Sequence, residues 1–335
     1  MQSKNVTQRW FTITVDTEEE WDWSSGYPTG PTKVSNIAGL RRFQTECQKH
    51  DATVTYFTNH SVLSHDSSAQ VILDLHDSGK AEIGLHIHPW NTPPISADEQ
   101  VTPRNSFLHN LPQEEALAKL QNVYDAFDSR GLPVPTSFRG GRYSTSRWIQ
   151  TFLSGNGCRA DASILPYTTW PDDGAPDFRT RDPWPVRRVF ENVKHPLWEI
   201  PLTLAFTRQP WSFWRRFFQL GEKAPFRQFK CVGIAERLFV QKTWLNLEHS
   251  LGERCVDLLR IVRKTNLPCI NFTLHSSSLV PGLSPYTRTS ADVERLYSRL
   301  NNVLTFLKKC PEFQPATVSE VADHLERKHH ARSRN

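Results

Sequence analysis

The stretch Val15-Asp16-Thr17-Glu18-Glu19-Glu20-Trp21-Asp22 follows an apolar alternation of Phe11, Ile13 and Val15 and sets five carboxylates within seven residues. Period-two alternation is the pattern of a β-strand. Side chains on extended chain alternate, so Asp16 and Glu18 share a face if the strand path continues past Val15. Acids crowded at the end of an apolar strand repel one another, and a bound cation or an arginine is the usual answer. Further along, His86 and His88 stand two apart at the end of Ala81-Glu82-Ile83-Gly84-Leu85-His86-Ile87-His88. Arg139 closes Val134 to Arg139, Asp161 lies within Cys158 to Ile164, and His275 closes Cys269-Ile270-Asn271-Phe272-Thr273-Leu274-His275. One carboxylate with two imidazoles is a common three-ligand set for zinc or ferrous iron, with positions left open for water and substrate. A separate acid and histidine can then serve as base and acid.

Each residue also has a plain structural reading. The acidic loop can be solvated, the histidines can pack, Arg139 can pair with the acids, Asp161 can cap a turn, and His275 can open one. The coincidence of all five positions at strand ends favours a site, because parallel α/β folds build their sites at the carboxyl ends of strands. The elements that must position them alternate. Strands are expected at 11–16, 52–58, 81–88, 134–139, 158–164, 198–204 and 269–275. Apolar residues at helical spacing separate them at 34–47, 68–76, 112–130, 144–153 and 256–262, and a long helix follows at 292–307. Strand, helix, strand without short turns is the signature of parallel βα units. A short strand at 316–318 and a helix at 319–328 complete the pattern. The proline-rich connection 89–111 is long enough to be functional. Residues 166–250 break the rhythm with six of the eleven tryptophans. This stretch is expected to be an inserted cap, with Trp211, Trp214 and Phe217-Phe218 packing inward. A sugar-stacking wall, a dimer surface and a helix lying on a membrane are the other readings.

At 335 residues the chain is long enough for a sizeable core, and 22% charged against 38% apolar residues is ordinary for a folded soluble protein. Residues 326–335 supply +3 of the net +5, so the excess reads as a basic, disordered tail and not as a nucleic-acid footprint. The six cysteines form no C-x-x-C pair and read as reduced thiols. The polar start, Met1 to Arg9, lacks an apolar signal core, and no window approaches a membrane span, so the cytoplasm is the expected location.

Taken together, these motifs resemble the polysaccharide deacetylase family, the chitooligosaccharide-deacetylase homology domain. Val15-Asp16-Thr17-Glu18 is similar to its acidic first motif, and Glu82-Ile83-Gly84-Leu85-His86-Ile87-His88-Pro89 to the motif that supplies metal-binding histidines. Phe138-Arg139-Gly140-Gly141-Arg142-Tyr143, Asp161-Ala162-Ser163 and Leu274-His275 resemble the three later motifs, in the family's order. The resemblance implies an α/β fold, a distorted (β/α)7-type barrel over residues 1–325 with the tryptophan-rich insertion at about 166–250. It implies hydrolysis of an N-acetyl, or less often O-acetyl, group on a sugar or on a glycolipid or polysaccharide precursor. Glu18, His86 and His88 would bind a divalent metal, with zinc the first candidate. Asp16 would be the base, His275 the acid, Arg139 the group that steadies Asp16, and Asp161 a further catalytic residue. Tyr143, near a backbone N–H for the oxyanion, and Trp90 would bind substrate. Two departures stand out. The second acid lies two residues after Asp16 instead of adjacent to it. Trp90 occupies the place, four after His86, where the family has its second histidine, and His88 stands two after. His60 and His76 are reserve ligands. A metal-independent amidohydrolase acting on a small cyclic amide and a catalytically silent glycan-binding module remain the alternatives.

Overall fold

The computed structural model describes residues 8–22, 26–29, 32–95, 100–221, 240–248 and 254–333. Cys231 lies outside them, and the other five cysteines are free and buried. Eleven strands are described: β1 (Arg9–Thr17), β2 (Val54–Thr58), β3 (Ala81–Ile87), β4 (Ser137–Gly140), β5 (Ala160–Asp161), β6 (Val186–Arg188), β7 (Leu197–Glu199), β8 (Leu204–Phe206), β9 (Lys242–Trp244), β10 (Cys269–His275) and β11 (Phe313–Pro315). The main sheet runs β10-β1-β2-β3-β4-β5-β7-β6, with β11 also on β1. From β10 to β7 every pairing is parallel. Those seven strands are the distorted (β/α)7 arrangement expected, and β6 is added antiparallel.

The sheet curls, and the seam between β7 and β10 is crossed by single hydrogen bonds. Thr203 N–H donates to Asn271 O at 3.1 Å, and Asn271 N–H donates to Thr203 Oγ1 at 2.9 Å. Leu245 N–H donates to Thr203 O and Thr273 N–H to Leu245 O. The segment just after β9 therefore lies against β10 and brings Glu248 to the carboxyl end of the sheet.

Every residue of β1 is buried, as expected of a strand covered on both faces. Phe11, Ile13 and Val15 pack outward with Leu40 and Phe43 of the helix Gly39–Gln48 and with Leu300 and Leu304 of the helix Ser290–Lys308. The opposite face carries Trp10, Thr12, Thr14 and Asp16. Trp10 joins Phe57, Ala160, Ile200, Val318 and Leu325 in a second apolar cluster, which the last helix closes.

That helix spans Val318–Ser333, so the tail expected to be disordered from 326 is helical as far as Ser333. Its side chains explain why. Glu326 pairs with Arg187 at 2.8 Å and accepts from the Trp198 indole. Lys328 lies over the Trp10 ring, on which His324 stacks. The strand expected at 316–318 stands instead at 313–315, where it meets the start of β1. The tryptophan-rich stretch supplies β6, β7, the antiparallel pair β8–β9 and the helix Trp211–Gly221. Residues 222–239 and 249–250 of it lie outside the described residues.

Candidate metal centre and active site

Strand register decides which side chains meet. Asp16 is paired with His275 across β1–β10 and with Phe57 across β1–β2. His86 is paired with Arg139 across β3–β4. Parallel pairing puts all of these at one edge of the sheet, where Asp16, Glu18, His86, His88, Tyr143, Glu248 and His275 line a cleft of about 670 Å³.

Glu18, just past β1, reaches both histidines. Its Oε2 lies 3.4 Å from His86 Nε2 and 3.1 Å from His88 Nε2, and the two Nε2 atoms are 3.2 Å apart. A tetrahedral ion with bonds of about 2.05 Å has ligand–ligand edges of about 3.3 Å, so the three donors fit three corners of such a site. All three residues are buried, and they are the one grouping of three or more metal-binding side chains among the described residues. His60 and His76 take no part in it.

The outer ring nitrogens fix the inner ones. His86 Nδ1–H donates to Arg139 O at 2.7 Å, and His88 Nδ1–H donates to Glu19 Oε1 at 2.7 Å. Each bond leaves Nε2 facing Glu18, the carboxylate–histidine–metal arrangement that sets tautomer and ring plane. Glu19 is itself held by the Asn59 amide. Behind His88 the Trp90 ring stacks at 4.1 Å. Beside His88, Gly141 leaves no room for a Cβ, which would strike His88 Cδ2 and Ile87 O.

Electrostatics matches the geometry. Burial pushes the Glu18 carboxyl upward, but His88, His275 and the hydrogen bonds outweigh it and hold it well below the usual carboxylate range. Burial alone would lower His88, yet Glu19 and Glu18 raise it to about 10. Without a cation a proton balances these acids, and a divalent ion would take that proton's place.

Asp16 and His275 face each other beside this centre. Arg139, fully buried, donates from Nη1 to Asp16 Oδ1 at 2.7 Å and to Thr273 Oγ1 at 3.0 Å, and from Nε to Ala162 O. The guanidinium sits over the Phe57 ring. Asp16 Oδ2 is 3.9 Å from His275 Nε2. On the other side of that ring, His275 Nδ1 is 3.0 Å from Glu248 Oε2. Glu248 also accepts from the His275 N–H and from Ser278. Burial would lower His275, but Glu248, followed by Glu18, raises it to about 10.

Two expected site residues stand elsewhere. Asp161 is not in the cleft: Oδ1 accepts from Ser163 N–H, and Oδ2 accepts from Thr145 and Gln150. With both oxygens occupied and the residue buried, it locks the loop after β5. Trp90 is buried behind His88 and supports that ring instead of lining the cleft. Tyr143 does line it, held by two successive left-handed residues, Arg142 at φ 52° and Tyr143 at φ 64°.

Glu19 and Glu248 are not candidates in the sequence, nor are Trp21, Tyr27 and Tyr286 of the aromatic walls, whereas Trp170 and Trp244 fall in the stretch for which a sugar-stacking wall is one reading. Glu248 does end an alternating run, Leu245-Asn246-Leu247-Glu248, the same signal that marked Asp16. Trp170 and Trp244 flank Tyr143 at 6.2 and 6.1 Å. Trp211 is buried against Trp184. The tryptophan-rich stretch thus serves both as core and as cleft wall.

Neither a family model nor a curated protein matches the chain by sequence. Solved structures do match. A provisionally named polysaccharide deacetylase from Mycobacterium smegmatis superposes with a TM-score of 0.57 at 12% identity, covering 98% of this chain and 94% of that one. A provisionally named glycoside hydrolase/deacetylase from Parabacteroides distasonis gives 0.56 at 8% identity, covering 96% and 72%. A 4-alpha-glucanotransferase from Thermococcus litoralis gives 0.50 at 12% identity, with 94% of this chain matched to 40% of that longer one. Identities this low speak to the backbone, and what they establish is that this chain has the fold of the polysaccharide deacetylases.

Proposed function

We propose that the chain is a metal-dependent hydrolase that removes an N-acetyl or O-acetyl group from a carbohydrate, with Asp16 as base and His275 as acid. The observation that carries this reading is the Glu18–His86–His88 cluster, whose facing donor atoms stand 3.1–3.4 Å apart beside a base and an acid that are each anchored by a buried partner. A divalent cation held there, with zinc suited to two imidazoles and a carboxylate, supplies Lewis-acid stabilisation of the acetyl oxygen.

The chain's own groups do the rest. Arg139 occupies one oxygen of Asp16 and orients the carboxylate, and the other oxygen takes the proton of the attacking water. Water oxygen joins the acetyl carbon as the bond to the sugar nitrogen or oxygen breaks. His275, held protonated by Glu248, delivers its Nε2 proton to the departing atom, so that acetate and free sugar leave. In this reading a backbone N–H near Tyr143 steadies the developing oxyanion. Trp21, Tyr143, Trp170 and Trp244 offer faces on which a sugar ring stacks. In this reading residues 1–325 form one catalytic domain, with the insertion at about 166–250 contributing cleft wall.

Purified protein is expected to carry metal and to release acetate from a panel of acetylated sugars. Both properties should be lost on chelation and in His86→Ala. Turnover that survives chelator and His86→Ala but needs Asp16 and His275 would favour a metal-independent amidohydrolase. Sugar binding without any turnover would favour a silent binding module.

A further inference from the structure

The helix Trp211–Gly221 carries an outward face that the cleft does not use. Trp211 and Phe218 point inward and are buried; Phe218 packs on Phe206 at 5.0 Å. On the outer side Phe213 and Leu220 are 55% and 54% exposed, seven residues apart and therefore on one stripe, with half-buried Phe217 between them. Arg208 and Arg216 are exposed beside this stripe. Arg215 is taken by Asp182 at 2.6 Å. Residues 206–221 include three arginines and no acid. An amphipathic helix with Phe and Leu outward, exposed arginine and no acid of its own has the composition of a segment that lies in a lipid interface.

We infer that this face docks onto a membrane surface bearing anionic headgroups. Charge complementarity selects that occupant. A second copy meeting the same face across a two-fold axis would set arginine against arginine. Residues 222–239, with four basic and two acidic side chains, would likewise bring like charge onto like. Anionic headgroups answer the arginines, while the acyl boundary takes Phe213, Phe217 and Leu220. No described helix is long and apolar enough to cross a membrane, and an amphipathic face of this kind lies in the plane of the interface. Phe206, on which the helix packs, lies in the same strand as the cleft residue Leu204, so docking holds the cleft close to the lipid surface. The inference stands apart from the catalytic reading, and chelated protein should dock equally well.

The test is flotation of the full chain with vesicles of phosphatidylcholine alone and with roughly a third phosphatidylglycerol. Binding is expected to the anionic vesicles only and to fall at high salt. Phe213→Ser combined with Leu220→Ser should weaken it about tenfold or more, with thermal stability and metal content unchanged. Arg208→Glu combined with Arg216→Glu gives a second route to the same loss should the first variant fold poorly. Absence of binding, equal binding to both vesicle types, or unaltered binding by a folded variant would overturn the inference. So would a dimer in solution that the Phe213/Leu220 variant dissociates.

Discussion

His88 has a partner on each ring nitrogen, Glu19 outside and Glu18 inside, so its orientation is fixed before any ion arrives. Removing the outer charge should loosen the inner ligand. Glu19→Gln is expected to weaken metal binding about 10- to 100-fold, read by competition with a chromophoric chelator. His275 depends on Glu248 in the same way. Glu248 raises its pKa toward about 10, and a cation at Glu18 would bring it part of the way down again. In the proposed reaction His275 is the acid and works only while protonated, so activity should fall as pH rises through its pKa. Glu248→Gln removes the raising charge, so that alkaline limb should move to lower pH; a kcat profile unchanged in this variant would contradict the role. Arg139 and Asp16 are a buried pair, and deleting one partner strands the other. Arg139→Ala is expected to cost about 3–5 kcal/mol, measured by urea unfolding. The individual acids and histidines could be picked out of the sequence because they end alternating runs. The partner of each histidine could not, because Glu248 lies 27 residues from His275 and Glu19 lies 69 from His88.

At the scale of the element, β3 has two ends with two tasks. At its start Glu82 Oε2 accepts from Thr55 Oγ1 and from the Ser319 N–H at the beginning of the last helix. A carboxylate there satisfies an otherwise orphan donor and meets the positive end of the helix. Glu82→Ala should lower stability by about 1–2 kcal/mol and leave metal affinity unchanged, because the ligands sit at the strand's other end. Calorimetry and metal titration on one sample separate the two effects. The turn after β4 matters for a different reason. Gly141 touches His88 where no side chain fits, so Gly141→Ala should displace that ring and reduce metal affinity more than it reduces stability.

Over the whole molecule, the cluster joins β1 and β3, which β2 separates. A metal bound by Glu18, His86 and His88 thus clips non-adjacent strands and stabilises the folded state by mass action. Chelation should lower the melting temperature by several degrees, and it should not in His86→Ala, whose melting temperature should already sit near the chelated value; differential scanning fluorimetry reads both. The last helix closes the inner apolar cluster at the far end of the sheet from the cleft. The two ends are built from the same strands and can be varied separately.

What the sequence by itself determined was the parallel βα order and the set of polar residues at strand ends, because alternation and punctuation are local and survive without neighbours. It also placed Asp16, Glu18, His86, His88, Arg139 and His275 together, since parallel strands share one carboxyl edge. Only the tertiary structure turned Asp161 inward, put Trp90 behind His88 and brought Glu248 to His275. Those outcomes depend on which loop fills the space beside a strand end, and packing across long sequence separations decides that. The same holds for the final helix, where local composition favoured a frayed tail and contacts with Arg187, Trp198 and Trp10 hold it in place.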